Sequence, residues 1–394
     1  MANTIDSNLY PDLYAGVHEI GKQVTGCINS VNVNFGSEPV NVGMMDEDQT
    51  TVYVPVAGEG SVESYTPSQN ASAGQNLTHS YVSVQITESR DYDFHFSTAE
   101  EKALNAPGND NAKSLFNENV KIGMKKLLAE IEEDLAGDIY KNASRARGTA
   151  GTTPFGSNLA PLTACYSELV IENGAPDDDI SFVMSKEAAE NFMNLAIVQQ
   201  ADKAGSDSFL RQGELLNHIG FSCKISTKFS SHDVGGGTDP SGYQINNDSD
   251  EAVGQTTLTV DSGSNNIVAG DIFYHADATD ENYVVTSGVT GGSGDLTIGE
   301  PGLLTKATDD AALTFHSAYT PNIALHKNAY VLATRPPMLE ANNEIDDVQM
   351  LTDPDTGLSF ALVKISGDGM TTYRVHIAWG YDVINEDFIV VYMG

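Results

Sequence analysis

Apolar residues recur every three or four positions in residues 114–142, where Val120, Met124, Leu127, Leu128, Ile131, Leu135 and Ile139 share one face. That period predicts a helix of roughly 29 residues, which at ~1.5 Å per residue is about 43 Å long. Elsewhere the period is two. Residues 51–55 predict a short strand, and residues 81–87 alternate and continue through Tyr92, Phe94 and Phe96. A polar passage rich in Gly, Ser, Asn and Gln, residues 58–78, joins the two runs, so together they predict an extended β-arm. A two-stranded ribbon is marginal in water, so this arm needs a surface to lean on, such as another subunit. Residues 1–45 mix a short helical pattern (Leu13, Val17, Ile20, Val24) with a polar extended stretch and read as an arm rather than a core.

Ser97-Thr98-Ala99-Glu100 is a capping box that opens a short helix. Residues 160–228 read as mixed α/β. Within them 180–184 is a buried strand, Ser185 caps a helix from Lys186 to about Gln200, and 213–225 is a turn and strand. From Gly235 to about Phe315 the character changes, and many carboxylates face Lys306 alone. Alternating runs at 256–260, 267–275, 282–289, 295–298 and 311–315 are separated by turn residues at intervals near ~8–12 residues. They predict a small β-barrel inserted in a larger domain. Residues 319–337, YTPNIALHKNAYVLATRPP, then restart a compact apolar pattern. A polar His326-Lys327-Asn328 step leads into a strand at 329–333, which Pro336 and Pro337 close because they cannot continue a ladder. Strands at 357–365, 371–378 and 388–392 complete the chain, which is of the α+β class.

The 394 residues suffice for two or three packed units. With 40% hydrophobic residues and a mean hydropathy of -0.24 the composition is that of a soluble globular protein. The formal net charge of -35 is extreme. It repels nucleic acid and anionic membranes and argues against sequence-specific DNA binding; adaptation to a saline environment is a plain reading of it. Cys27, Cys165 and Cys223 lie far apart without a CxxC, so they read as reduced thiols of a cytosol, not as a disulfide framework or zinc site. The first residues lack a basic and an apolar region, so they do not read as a signal peptide. No run approaches the ~18 apolar residues that span a membrane. The expectation is a soluble protein made inside a cell.

The long helix has an odd charge order. Lys121, Lys125 and Lys126 lie in its first half, whereas Glu130, Glu132, Glu133, Asp134 and Asp138 crowd the second. This opposes the helix dipole, although each such effect costs only ~0.3–0.5 kcal/mol. Two readings stay open: a solvated acidic face, or a face that meets basic groups on a neighbouring subunit.

Motifs that carry chemistry are scarce. There is no Walker A sequence, HExxH or GxSxG. Gly235-Gly236-Gly237 and Gly291-Gly292-Ser293-Gly294 lack the strand-and-helix setting that cradles phosphate and read as turns. His275 with Asp277 and Asp280 could bind a cation, but carboxylates are so common there that chance is the better reading. Asp353-Pro354-Asp355-Thr356-Gly357 evokes a calcium loop but lacks the later ligands and bidentate Glu. Trp379 reads as a core or interface anchor. We therefore assign no catalytic, cofactor-binding or metal residues, and no cofactor, and expect a protein that is not an enzyme.

The order of elements (arm, long β-loop, one long helix, mixed α/β, acidic β-insertion, closing strands) resembles the major capsid protein of tailed phages, whose fold herpesviruses share. The resemblance is to the podovirus coat type with a telokin-like inserted β-domain. Thr50-Thr51-Val52-Tyr53-Val54-Pro55-Val56 is similar to the strand entering the extended loop, and Phe94-His95-Phe96-Ser97-Thr98-Ala99-Glu100 to its exit. Lys224-Ile225-Ser226-Thr227-Lys228 resembles the entry to the insertion, and Val268-Ala269-Gly270-Asp271-Ile272-Phe273 a strand inside it. The run from Tyr373 to Val383, YRVHIAWGYDV, resembles the closing strand and turn.

The resemblance implies an N-terminal arm at 1–45 and an extended β-loop at 46–96. It implies a peripheral domain with a spine helix at 97–150 and 338–394, an axial domain at 151–228 and 320–337, and an inserted β-barrel at 229–319. It further implies hexamers and pentamers of an icosahedral shell around double-stranded DNA held without sequence-specific contact, with a scaffolding protein and a portal as partners. The protein would be made in the host cytoplasm, end in the virion and touch no membrane. Some members of the family cross-link through a lysine in the extended loop; residues 42–96 hold no lysine, only Arg90, so that chemistry is not expected here. The rival readings are a bacterial nanocompartment shell with the same fold and a calcium-dependent β-rich surface adhesin.

Overall fold

The apolar face from Val120 to Ile139 is buried as a unit. In this computed structural model, which describes residues 24–35, 50–56, 79–97, 99–100, 102, 110–199, 217–247, 250–336, 345–353, 355–367 and 369–394, helix α1 runs Asp110–Asp138. It passes into a 3-10 turn, Ile139–Asn142. Val120, Leu127, Leu128, Ile131, Leu135 and Ile139 are all buried, and Met124 packs on the same core. Shorter helices follow as α2 (Ala160–Tyr166), α3 (Lys186–Asn194) and α4 (Ala196–Gln199). None of the described helices is long and apolar enough to cross a membrane.

The strands, in chain order, begin with β1 (Asn32–Phe35), β2 (Thr51–Val56), β3 (Ser80–Gln85), β4 (Glu88–Ser97), β5 (Arg145–Gly148), β6 (Ile180–Met184) and β7 (Ser222–Ile225). Next come β8 (Gln244–Ile245), β9 (Thr257–Asp261), β10 (Ile272–His275), β11 (Ala278–Ser287), β12 (Gly294–Ile298) and β13 (Leu313–Phe315). The last are β14 (Pro321–His326), β15 (Tyr330–Arg335), β16 (Ile345–Thr352), β17 (Ser359–Gly367), β18 (Met370–Val383) and β19 (Ile389–Met393).

Strand β18 is the axis of a six-stranded sheet. Ala378 and Trp379 pair with both β4 and β15, and residues 370–376 pair with both β4 and β17. So β4 runs along one edge of β18, and β15 and β17 follow each other along the other. Outside them, β1 adds in parallel to β15 and β16 adds antiparallel to β17. Helix α1 covers one face of this sheet, where Leu128, Ile131 and Leu135 share a core with Phe94, Phe360, Val375 and Trp379. The opposite face, near β15, receives the base of the β2–β3 ribbon: Val84 and Ile86 pack with Val331, Ala333 and Ala378. Gly380 permits this approach, because a Cβ there would lie 2.0 Å from the Gln85 carbonyl oxygen.

A second sheet runs β7-β6-β14-β19-β5. Strands β14 and β19 are buried on both faces. Ile323, Leu325 and Val391 join the core under α1, while Ala324 and Val390 join one formed by Phe155, Leu162, Phe182 and Phe192. Strands β8 to β13 close on themselves. Their order is β8-β9-β12-β11-β10-β13, and Gln244 bridges to Ala312 to complete the ring, with Leu313 N donating to Tyr243 O over 2.9 Å. Tyr243, Leu258, Val260, Phe273, Val285 and Leu296 fill it. One residue pair, Tyr283 with Arg145, links β11 to β5.

Several readings shift. The alternation from 81 to 96 is two strands, and β4 adds to β18, not to the ribbon, because Phe94 and Phe96 face the core under α1. Residues 24–35 are not a free arm: Cys27, Ile28 and Val31 are buried and β1 joins the sheet. The helical positions Leu13, Val17 and Ile20, the 58–78 connection and residues 213–216 lie outside the described residues. The helix from Lys186 stops at Asn194, because Leu195 is extended (ψ 129), and a separate turn forms α4. The capping box is made: Ser97 N donates to Glu100 Oε2 (2.7 Å) and Glu100 N to Ser97 Oγ (3.3 Å).

The contact at Gly380 yields a test. Gly380→Ala should lift the ribbon base at a cost of about 1–3 kcal/mol, the usual range for overpacking. Hydrogen exchange at residues 80–86 should rise while β14 and β19 keep their protection.

Candidate assembly surface

The acidic half of α1 is only partly an open face. Its carboxylates are distributed among segments of the same chain. Glu132, fully buried, accepts from Cys27 N (2.9 Å) and Ile28 N (3.0 Å) and so fastens residues 27–30 to the helix. Asp134 accepts from the Trp379 indole Nε1 (3.0 Å), and Asp138 from the Tyr330 hydroxyl (2.5 Å). Glu133 pairs with Lys228 (2.5 Å) and Glu130 with Arg90 (3.6 Å). Burial pushes the carboxyls of Glu132 and Asp134 up from the ordinary range, opposed by the amide and indole donors they accept from. Glu132, Asp134 and Asp138 thus serve contacts within the chain, whereas Glu130 and Glu133 stay more than half exposed; Trp379 is a core anchor, fully buried.

A different surface is more exposed. In the β2–β3 ribbon, Val52 pairs with Val84, Val54 with Val82 and Val56 with Ser80, which puts the valines on one face. Val84 at the base is buried; Val52, Val54, Val56 and Val82 are only half-buried. The other face carries Tyr53 and Tyr81, which are 52% and 66% exposed and meet edge to face with centroids 5.0 Å apart. Val52, Val54 and Val82 pack against the cluster of Val84, Ile86, Val331, Ala333 and Ala378, so the valine face is seated on the sheet and the tyrosine face is the open one. The period-two pattern signalled the ribbon, but the Tyr pair depends on strand register, which the sequence reading did not have.

The other candidates fall into structural roles. His275, Asp277 and Asp280 are not brought together as ligands: the His275 ring is buried against Tyr283, and Asp277 accepts from Thr308 N (2.8 Å) and Thr308 Oγ1 (2.9 Å). Among the described residues no group of three or more His, Cys, Asp or Glu is placed to hold a metal ion. Asp353 turns its carboxylate onto Thr356 N (3.0 Å) and Oγ1 (2.6 Å), shaping the turn between β16 and β17. Gly235 does meet an anion, but an internal one: its N–H donates to Asp271 (3.1 Å). Asp271, fully buried, also lies 2.9 Å from His232 Nε2, and His232 Nδ1 lies 3.1 Å from the Tyr140 hydroxyl. That chain of polar contacts ties the barrel to the end of α1, and sequence reasoning missed it. Gly291 N donates to Asn266 Oδ1 in a turn (3.3 Å). All three cysteines are buried free thiols, and burial raises each thiol, Cys223 to about 12.

No protein-family model matches the chain, and no curated protein matches it. Solved structures match it over nearly its full length. A structure of Mycobacterium phage Che8 is 14% identical, covers 98% of this chain and 97% of its own, and gives a TM-score of 0.46. The capsid structure of Cyanophage P-SCSP1u is 12% identical over 98% of this chain and 93% of its own, at a TM-score of 0.46. The mature capsid of bacteriophage PhiM1 is 10% identical over 98% and 92%, at 0.47. The chain is similar to these phage structures along its whole course.

The partners of the acidic half predict a contrast. Asp134→Ala leaves the Trp379 N–H buried without an acceptor and should cost about 1–3 kcal/mol. Glu133→Ala removes a surface ion pair worth about 0–1 kcal/mol. Denaturant unfolding followed by the fluorescence of Trp379, the single tryptophan, measures both. Equal, negligible effects would contradict the intramolecular assignment.

Proposed function

We propose that this chain is a self-assembling capsid shell protein of the tailed-phage type. The observation that carries the reading is the β2–β3 ribbon. Its valine face is seated on the sheet, with Val52, Val54 and Val82 half-buried against Val84 and Ile86, and its other face leaves Tyr53 and Tyr81 exposed. A two-stranded ribbon gains little stability on its own, so its natural cover is the surface of a second copy. Copies repeating that contact form a ring if the rotation closes, and such rings are the units of a shell. We propose hexamers and pentamers as the units, double-stranded DNA as the enclosed cargo, and a scaffolding protein and portal as assembly partners. The protein would then be made in a host cytoplasm and end in the virion, with a structural rather than catalytic role.

The proposed division follows. Residues 1–45 are the N-terminal arm, anchored at 24–35. The extended loop spans 46–96, its projecting part ending before β4. The peripheral domain is 97–150 with 338–394, the axial domain is 151–228 with 320–337, and 229–319 is the inserted barrel. Support comes from the order of these elements and from the way α1 spans both sheets.

The charge bears on assembly. At -35 per copy, subunits repel, and at 0.15 M salt the Debye length is ~8 Å, so close contacts still feel that repulsion. Nucleation should therefore depend on salt, divalent cations or a scaffold.

Tyr81→Asp, at an exposed position of the ribbon, should abolish assembly measured by light scattering while circular dichroism and thermal unfolding of the monomer stay close to wild type. Assembly of Tyr81→Asp at the wild-type rate would remove the ribbon from the interface. For the wild type, the assembly rate should rise with ionic strength from low salt; a flat response would contradict the charge argument.

A further inference from the structure

His275 closes β10 and is fully buried, and neither ring nitrogen has a hydrogen-bond partner. A buried imidazole without a donor or acceptor partner is uncommon, since each nitrogen needs one or the other. Its ring stacks on Tyr283, with centroids 5.9 Å apart and planes at 26°. Tyr283 also carries the Arg145 guanidinium, 4.8 Å from the ring centroid. Arg145 is itself buried, donating to Ser144 O (3.0 Å) and Gly302 O (2.8 Å), with its Nε unpartnered. The pair Tyr283–Arg145 is the ladder contact that joins β11 of the barrel to β5 of the main sheet. His275 thus sits one aromatic ring from the junction, on the same stack as a buried cation.

The groups that face His275 do not offer its proton a home. Within its own hairpin Asp277 is engaged by Thr308 N and Oγ1. On β11, Glu281 accepts from the Tyr283 hydroxyl and from Thr305 Oγ1 (2.8 Å). On β13 its pairing residue is the apolar Leu313. From β5 comes Arg145, which reaches the same Tyr283 ring. An added proton on His275 would be a buried cation that neither Asp277 nor Glu281 hydrogen-bonds.

We propose that the barrel is an acid-sensitive module, opening at its junction with β5 when His275 takes up a proton. Burial, the largest influence, lowers the His275 pKa against the opposing pull of Asp277 and Glu281. A histidine lowered from its ordinary ~6.5 binds its proton more readily in the opened state. Its contribution to stability is therefore fully present above about pH 7 and declines as the pH falls below ~6.5 toward the folded value.

Hydrogen exchange by mass spectrometry on the full chain tests this at pH 7.5 and 5.5, with intrinsic rates corrected. In wild type, protection at residues 272–287 and 313–315 should fall by about tenfold per pH unit below ~6.5, while β14 and β19 hold theirs. His275→Phe keeps a ring in the stack and removes the titration, so its barrel protection should be independent of pH; His275→Gln should behave alike if the Phe variant does not fold. An equal acid loss in either folded variant, or no loss in wild type, would overturn the proposal. Ring-proton exchange of the wild-type histidines gives an independent reading. His275 should titrate below the ordinary histidine range, and an ordinary titration would also overturn it.

Discussion

The structure depends on one helix having to serve two sheets. Helix α1 presents its apolar face to the six-stranded sheet, and Ile139, in the 3-10 turn that continues it, carries that face to the strands of the second. Its polar side chains then fasten what the apolar face cannot. Glu132 holds the N-terminal segment, Asp134 holds β18 through Trp379, and Asp138 holds β15 through Tyr330. The unfavourable charge order along α1 follows from this. Crowding carboxylates toward a helix C-terminus costs ~0.3–0.5 kcal/mol per interaction. A hydrogen bond to a charged group contributes ~1.5–3 kcal/mol, so four such bonds outweigh the repulsion.

The same logic separates the rigid part of the molecule from the part left for partners. Where a carboxylate or aromatic group is needed inside, it is matched: Asp271 accepts from Gly235 N and from Val268 N (2.9 Å), and Tyr319 donates to Gly270 O (2.7 Å). On the β2–β3 ribbon the valines are half-buried against the sheet and two tyrosines are exposed. Under the proposed assembly, a chain of this net charge cannot rely on long-range attraction to bring copies together. Such an assembly needs short-range apolar contact, which salt strengthens indirectly by screening the repulsion.

Much of this was legible in the sequence, and the exceptions have physical causes. The three-to-four period of α1 and the alternation in the barrel strands marked elements with one buried face. Strand β14 carries no alternation because both of its faces are buried, from Pro321 to His326, so it read only as a compact apolar restart. Strand β16, Ile345–Thr352, is too polar to register and stands as a strand through its ladder with β17. The function of β4 was misread because alternation tells which residues share a face but not which strand lies alongside. The burial of Arg145, Glu132 and His275 left no local signal, since it is set by segments far along the chain. The ribbon was foreseen, whereas its Tyr53–Tyr81 pair required the register.

The most direct test of the central claim is negative-stain microscopy of the wild-type protein, expressed alone and with its neighbouring open reading frame as a candidate scaffold. The account predicts closed shells tens of nanometres across in at least one of the two preparations. Uniform monomers in both, across a full salt series, would contradict it.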